Sequence, residues 1–350
     1  MSSLRPVQGT PHELLKLLSG WLAHGSAPLT VATSGTTGAP KQVCLARDAL
    51  IASANAGLAR LGGPGQWLLA LSPERVGGLQ VLVRSLLADQ PPVIVADHSG
   101  WPAAVSAMGA ERRYTALVPT ALHRLLQAGQ AGPLRELDAV LVGGAAADPA
   151  LLERARSAGV RVVPTYGMTE TCGGCVYAGV PLDGVAVAID AGQRIRLRGP
   201  VLFDGYLDRP DLTAEVMRDG WLLTRDGGRL DDDGRLHVFG RLDDVVVSGG
   251  VNVAVSAVER RLREHPAVRE AAVVGVDDPE WGSRVVAVVA AAAEEGCRLP
   301  GLAELRDFVS AELPRAWAPR DLVVVPELPM LASGKVDVRL LRRHVTGAAR

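Results

Sequence analysis

The sequence predicts an α/β protein with a large N-terminal domain, mostly parallel in its sheets and β-rich toward its far end, followed by a small α+β domain. Three observations carry this. Apolar runs alternate with stretches of helical spacing from Leu29 to Val163, the signature of helices covering a parallel sheet. From Val176 to Phe239 the runs shorten and glycines punctuate them (Gly179, Gly184, Gly192, Gly199, Gly205, Gly220, Gly234), which predicts β-hairpins. After Gly240 the pattern becomes helix, strand, strand, helix, strand.

In order, the apolar run Leu29 to Thr33 enters a Ser/Thr/Gly loop, and Asp48 to Leu61 has helical spacing that stops at Gly62-Gly63-Pro64. Strands at Trp67 to Leu71, Val93 to Ala96, Ala116 to Val118, Ala139 to Val142 and Val160 to Val163 then alternate with helices. The helices fall at Gly78 to Leu87, Trp101 to Met108, Thr120 to Leu126 and Asp148 to Ser157. Asp231-Asp-Asp-Gly234 is a hairpin turn between Trp221 to Leu223 and Leu236 to Phe239. The last part carries helices at Val255 to Glu264 and Leu302 to Glu312, with strands at Arg269 to Val276, Arg284 to Ala291 and Leu322 to Val325. A boundary near Asp243 divides the chain into domains 1–242 and 243–350.

Composition narrows the partners. With 350 residues, 48% hydrophobic and 21% charged, and a formal net charge of -1, the chain has no basic surplus for nucleic acid or an anionic membrane. The first twenty residues lack the basic start and apolar core of a signal peptide, and the longest apolar run, Val285 to Ala293, is half a membrane span. These features predict a cytoplasmic protein that handles small molecules, and they leave a homodimer open. Cys44, Cys172, Cys175 and Cys297 form no disulfide framework, and Cys172-Gly-Gly-Cys175 has no second ligand pair to complete a zinc site.

The loop Thr33-Ser34-Gly35-Thr36-Thr37-Gly38-Ala39-Pro40-Lys41 holds hydroxyls, glycines and an ammonium, a set suited to cradling a polyphosphate. It is not the P-loop pattern G-x-x-x-x-G-K-[ST]. Counted from Gly35, the second required glycine is Pro40, and Gln42 stands where that pattern needs a hydroxyl. A P-loop ATPase is therefore disfavoured. Of the 37 basic residues only Lys16, Lys41 and Lys335 are lysines, which singles out Lys41 and Lys335 as places where a compact ammonium matters.

Four more segments look like site loops: Thr165-Tyr-Gly-Met-Thr-Glu170, Thr224-Arg-Asp226, Gly240 to Asp244 with Ser248-Gly-Gly250 behind it, and Pro329 to Lys335. Each has a structural use as well, Glu170 as a helix-start carboxylate and Asp226 as a turn residue. In this order, from Leu29 to the C-terminus, the five segments resemble the motifs of the adenylate-forming superfamily of acyl-CoA synthetases, adenylation domains and luciferases. The early phosphate loop, with Gly78 to Ser85, Leu117-Val-Pro-Thr120 and Thr165 to Tyr177, resembles the short actinobacterial o-succinylbenzoate:CoA ligases of menaquinone biosynthesis.

The resemblance implies ATP, magnesium and CoA as reactants and a carboxylic acid as substrate, joined through an acyl-adenylate. It implies that Thr33, Ser34, Gly35, Thr36, Thr37, Gly38 and Lys41 hold the phosphates of ATP. Thr165, Tyr166, Gly167, Met168 and Thr169 would flank adenine and the α-phosphate, with Glu170 on the metal. Asp226 and Arg241 would hold the ribose, while Arg75, Gly143, Gly144 and Ala145 would line the acyl pocket. The C-terminal domain would be a mobile lid on a hinge at Asp243, bringing up in turn the catalytic Lys335 and the CoA-binding Ser248, Gly249 and Gly250. Two departures stand out: Glu74-Arg75 replaces a usual histidine, and the ribose motif reads Thr-Arg-Asp instead of Thr-Gly-Asp. The alternatives are another aryl- or acyl-CoA ligase, an enzyme loading a carrier protein, or a non-catalytic binding protein, which would be expected to have lost Glu170 or Lys335.

Overall fold

The structure is a computed structural model that describes residues 5–33, 41–242, 245–291, 300–329, 336–337, 340–343 and 345. The chain divides into two compact units: 1–190, 196–224 and 230–237 form one, and 191–195, 225–229 and 238–350 form the other.

The larger unit is built on a seven-stranded sheet. Its spatial order is Val180–Pro181, Gly173–Tyr177, Val162–Met168, Ala139–Val142, Arg113–Leu117, Gln66–Leu69, Val93–Ile94. The last five are mutually parallel, and the first two pair antiparallel at the edge. Each parallel step is spanned by a helix, as a crossover requires. Within Gln66–Leu69 the residues alternate by face. Leu68 joins an apolar cluster with Val105, Leu122, Leu152 and Ala155 from the helices Trp101–Ser106, Pro119–Gln127 and Pro149–Ser157. Trp67 turns the other way, toward the helix Val76–Leu87.

That helix is buried along most of its length, with Leu79, Val81, Leu82 and Val83 wholly inside. The helices Pro11–His24 and Arg47–Arg60 pack on it, so it sits in the interior and is mostly apolar, with Gln80, Arg84 and Ser85 its buried polar residues. A second, smaller sheet has the order Arg5–Pro6, Leu29–Ala32, Gln42–Leu45, Gly205–Tyr206. A third joins Ala186–Ile189, Arg194–Arg198, Trp221–Leu230 and Met217–Arg218, with Leu236–Arg241 on Trp221–Leu230.

In the smaller unit Val268–Asp278 runs antiparallel to Gly282–Ala291, which pairs parallel with Asp321–Val325. Alternate residues face opposite clusters. Ala271, Val273, Val285 and Ala287 meet the helices Val255–Arg263 and Leu302–Ser310, while Ala272, Val274, Val286 and Val288 meet Leu328, Leu341 and Val345. A hairpin, Val245–Ser248 with Val251–Ala254, stands beside this sheet.

Two helices depart from the sequence reading. Pro11–His24 begins with a capping box, in which Thr10 Oγ1 accepts from the Glu13 backbone while the Glu13 carboxylate accepts from the Thr10 N–H, and with Pro11 in its first turn. Pro210–Val216 interrupts the stretch read as hairpins, because Pro210 and Asp211 favour a first helical turn. Among the described residues no helix is long and apolar enough to cross a membrane.

Gly20 lies in the exposed middle of Pro11–His24, and an added Cβ would meet nothing within 4 Å. Gly20→Ala is expected to raise unfolding free energy by about 0.5–1 kcal/mol, whereas Leu82→Ala in the buried helix should cost about 2–5 kcal/mol. Urea titrations of the two variants check both signs.

Candidate active site

The winding of the large sheet reverses at Gln66–Leu69, since the next strand in sequence lies on one side of it and Arg113–Leu117 on the other. Open α/β sheets bind ligands beyond the carboxyl ends of their strands at such a reversal. A cavity of about 370 Å³ lies there. Residues at or just beyond the carboxyl ends of the parallel pairing line it: Leu71 and Ser72, Leu117 and Val118, Gly143 and Gly144, Thr165 and Gly167. The buried helix and the residue before it supply Arg75, Val76, Gln80 and Arg84, and the strand Gly173–Tyr177 adds Gly173, Gly174 and Tyr177.

Arg84 is only 3% exposed. Its Nη2 donates to the Tyr177 hydroxyl at 3.0 Å, its guanidinium lies 5.0 Å from the Trp67 ring centroid, and its Nε has no partner. Among the described residues no carboxylate pairs with it. Four residues earlier, hence on the same helix face, Gln80 Nε2 donates to the carbonyls of Cys172 (2.8 Å) and Leu50 (3.3 Å), and its Oε1 is buried without a partner. Both lie in the Gly78 to Ser85 segment that carries the family resemblance, but the sequence gives neither a role, because a lone polar side chain in an apolar helix usually reads as a solvent-facing position. Arg75 stands at the lip of the cavity, exposed, with Nη1 donating to the Ala32 carbonyl at 2.8 Å. Glu74 accepts from the Gly9 backbone. Gly143 and Gly144 line the cavity; Ala145 is exposed and does not.

The Thr165 to Glu170 segment begins as strand. Thr165 and Tyr166 pair with Tyr177 and Val176, the register then shifts, and Gly167 and Met168 pair with Gly174 and Gly173. A Cβ on Gly167 would stand 2.1 Å from the Gly173 carbonyl oxygen, so only glycine lets these backbones close. A single 3-10 turn, Thr169–Thr171, follows, and Cys172 leaves it with φ 52. Thr171 Oγ1 accepts from the Met168 N–H and lies 2.7 Å from the Gly173 carbonyl, to which it donates. Glu170 is thereby held on a short, tightly bonded turn.

Thr33 and Lys41 close the mouth of the phosphate-type loop. The Thr33 N–H and hydroxyl both donate to the Lys41 carbonyl, at 2.9 and 3.2 Å. Ser34, Gly35, Thr36, Thr37 and Gly38 between them lie outside the described residues, as do Asp243 and Lys335. Tyr206 meets two of the site's charges: its hydroxyl donates to Glu170 Oε1 at 2.7 Å, and Lys41 Nζ lies 4.7 Å from its ring centroid. Magnesium characteristically takes one or two carboxylates, waters and substrate phosphate oxygens. Glu170 fits that need, with one oxygen held by a phenol and no ion pair among the described residues. No cluster of three His, Cys, Asp or Glu suited to a metal occurs among the described residues.

Asp226, Arg241 and Ser248 to Gly250 belong to the smaller unit. Arg241 Nε lies 3.8 Å from Asp226 Oδ1, and the Leu242 N–H donates to the Arg225 carbonyl at 2.6 Å, tying the two segments together. Ser248, Gly249 and Gly250 form the tip of the hairpin. Gly249 has φ 58 and lies so close to Trp281 that a Cβ would stand 2.6 Å from the indole ring.

Comparison with known proteins identifies the family. A family model described as AMP-binding enzyme matches residues 29–206, and one for the AMP-binding enzyme C-terminal domain matches 257–335. A probable 2-succinylbenzoate--CoA ligase of Mycobacterium tuberculosis is 46% identical over 352 residues, 97% of this chain and 91% of that protein. The chain belongs to the AMP-binding enzyme family. It is an adenylate-forming enzyme, and the family's reactants are ATP, Mg2+ and, in its ligases, CoA. Two solved structures share the fold. The Bacillus subtilis o-succinylbenzoate CoA synthetase in complex with the acyl-adenylate OSB-AMP superposes with a TM-score of 0.71 at 31% identity, over 90% of this chain and 68% of that one. Escherichia coli MenE, bound to an analogue of OSB-AMS, gives 0.72 at 31%, over 91% and 69%.

In this family member the Cys172-Gly-Gly-Cys175 segment serves as wall. Both thiols are wholly buried. Burial raises the Cys172 thiol well above its ordinary value and pushes Cys175 up to about 12, so neither holds a reactive thiolate at neutral pH. Alkylation with iodoacetamide at pH 8, mapped by mass spectrometry, should leave both unmodified in the native protein and label both after denaturation. Native labelling of either would refute the burial argument.

Proposed function

We propose that this chain is an AMP-forming acid:CoA ligase acting on o-succinylbenzoate, through o-succinylbenzoyl-AMP, to o-succinylbenzoyl-CoA in menaquinone biosynthesis. The observation that carries the choice of acid is Arg84. A guanidinium buried in a cavity wall with an unpartnered Nε is costly unless the ligand brings a counter-charge, and an acid with a second carboxylate brings one. The apolar lining from Leu71, Val76, Leu117 and Val118 suits the aromatic ring. The names of the Mycobacterium tuberculosis relative and of the two solved structures support the same substrate.

In the proposed reaction one carboxylate attacks the α-phosphorus of ATP and pyrophosphate leaves. The Thr33 to Lys41 loop holds the β- and γ-phosphates, Tyr166 packs on adenine, Asp226 and Arg241 hold the ribose, and Lys335 stabilises charge between carboxylate and α-phosphate. When bound, magnesium neutralises the polyphosphate, with Glu170 as its protein ligand. The CoA thiolate then attacks the acyl carbonyl and AMP leaves. The proposed domains are 1–242 and 243–350, and rotation about Asp243 exchanges Lys335 for the Ser248-Gly249-Gly250 tip, whose two glycines suit a narrow pantetheine path. Buried reduced cysteines and a near-neutral charge support a cytoplasmic location and a role without nucleic acid.

Pyrophosphate release over a panel of carboxylic acids, with and without CoA, tests the substrate. Turnover of a simple fatty acid with none of o-succinylbenzoate would sink it. Arg84→Met keeps the volume, and replacing a buried cation by an apolar chain leaves folding near neutral. It should lower kcat/KM for o-succinylbenzoate by roughly 30-fold to 1,000-fold, the scale of a truncated buried charge pair, while sparing monocarboxylic aryl acids. Equal losses on both acids would remove Arg84 from recognition.

The half-reactions should separate. Lys335→Ala is expected to slow adenylation by roughly two orders of magnitude or more yet still convert supplied acyl-AMP and CoA to thioester. Asp243→Pro, by stiffening the hinge, should keep acyl-AMP formation and slow the thioester step. Rapid-quench measurement of both steps in both variants decides, and equal slowing of the two would exclude domain alternation.

A further inference from the structure

Tyr206 is not part of any motif read from the sequence, yet its surroundings are unusually over-determined. The run Phe203 to Leu207 is bonded to two separate parts of the site. The Phe203 N–H donates to the Glu170 carbonyl at 2.9 Å. Asp204 N–H donates to the Cys44 carbonyl and Leu207 N–H to the Gln42 carbonyl, both at 2.9 Å, with Gly205 and Tyr206 paired to Cys44 and Val43 between them. The Tyr206 N–H is taken by Thr213 Oγ1 at 2.9 Å, and the Phe203 ring meets Tyr206 edge-on at 5.1 Å. This backbone stitching joins the residues just after Lys41 to the turn carrying Glu170. The Tyr206 side chain, 9% exposed, spans the same gap.

Each end of the phenol does different work. The hydroxyl donates to Glu170 Oε1 at 2.7 Å, a short charge-assisted bond that fixes one carboxylate oxygen and leaves the other for a cation. The ring face carries negative charge density and holds the Lys41 ammonium at 4.7 Å. Among the described residues Lys41 and Glu170 make no ion pair with each other. A direct pair would quench the charges meant for phosphate and metal; the aromatic ring satisfies both without joining them.

We propose that Tyr206 is a positioning residue for adenylation that holds Glu170 in its metal-binding orientation and keeps the Lys41 ammonium apart from it, facing the phosphates. This rests on the reading of Glu170 as the magnesium ligand.

Isothermal titration calorimetry of ATP binding to the full chain, in magnesium and in EDTA, tests it without turnover. Tyr206→Phe keeps the ring and removes the hydroxyl. It should reduce the tightening of ATP binding by magnesium about 10–100-fold, the scale for losing an outer partner of a metal ligand, and leave metal-free ATP binding unchanged. Tyr206→Leu should also weaken metal-free binding, because Lys41 loses its ring. Added to Glu170→Gln, Tyr206→Phe should have no further effect. Should Glu170→Gln retain the full magnesium effect, the reading of Glu170 falls. If Glu170→Gln loses that effect while Tyr206→Phe matches the unaltered protein, or loses affinity equally in magnesium and EDTA, only the role of Tyr206 is overturned. Electron paramagnetic resonance of Mn2+ with ATP repeats the comparison by a direct metal readout, with circular dichroism melts confirming that each variant is folded.

Discussion

The carbonyl of Cys172 is gripped by two buried donors, Ser53 Oγ at 3.1 Å and Gln80 Nε2 at 2.8 Å, and the geometry of the site depends on that grip. Cys172 is a non-glycine residue at φ 52, a conformation that costs of order 1 kcal/mol unless its surroundings impose it. The two donors come from the helices Arg47–Arg60 and Val76–Leu87. They turn the chain sharply out of the Thr169–Thr171 turn and back into the strand Gly173–Tyr177. Glu170 therefore sits on a short loop clamped from below, and Gly173 and Gly174 return along the cavity wall.

The buried helix serves architecture and chemistry with side chains one turn apart. Gln80 holds the site loop, and Arg84 faces the ligand cavity. An apolar side chain in place of Arg84 would suit so enclosed a helix as well or better, since hydrophobic replacements of buried ions are commonly neutral or stabilising. The fold tolerates Arg84 because the Trp67 ring and the Tyr177 hydroxyl share the burden of desolvation. Neither carries a formal charge. The cation consequently keeps its electrostatic demand for a ligand, which a native carboxylate partner would have removed. Lys41 is treated similarly, resting on the Tyr206 ring.

Much of the fold was legible because it rests on local chemistry. The alternation of apolar runs and helical spacing followed the parallel sheet, and Asp231-Asp-Asp-Gly234 does turn the hairpin, with Asp231 Oδ1 accepting from the Asp233 and Arg235 N–H groups. The Pro11–His24 helix has its local marks too, in Thr10, Pro11 and Glu13. Pro210–Val216 was masked by the glycines on either side. For the site, the order of the five loops and the scarcity of lysine pointed to a nucleotide-activating enzyme. Of the residues that complete it, Gln80, Arg84 and Tyr177 fall in the segments Gly78 to Ser85 and Thr165 to Tyr177 that carry the resemblance, which gives none of them a role, and Tyr206 falls in no motif.

By itself, then, the sequence determined the class of the fold, the family, and which loops carry the reacting groups, because glycine, proline, hydroxyl and charge patterns act over a few neighbouring positions. Only the tertiary structure decided which arginine is buried without a carboxylate, which thiols are walled off, and which tyrosine stands between Lys41 and Glu170. Desolvation and pairing are set by neighbours in space. Tyr206 lies 165 and 36 residues along the chain from the two groups it separates, and no local pattern encodes a contact of that span.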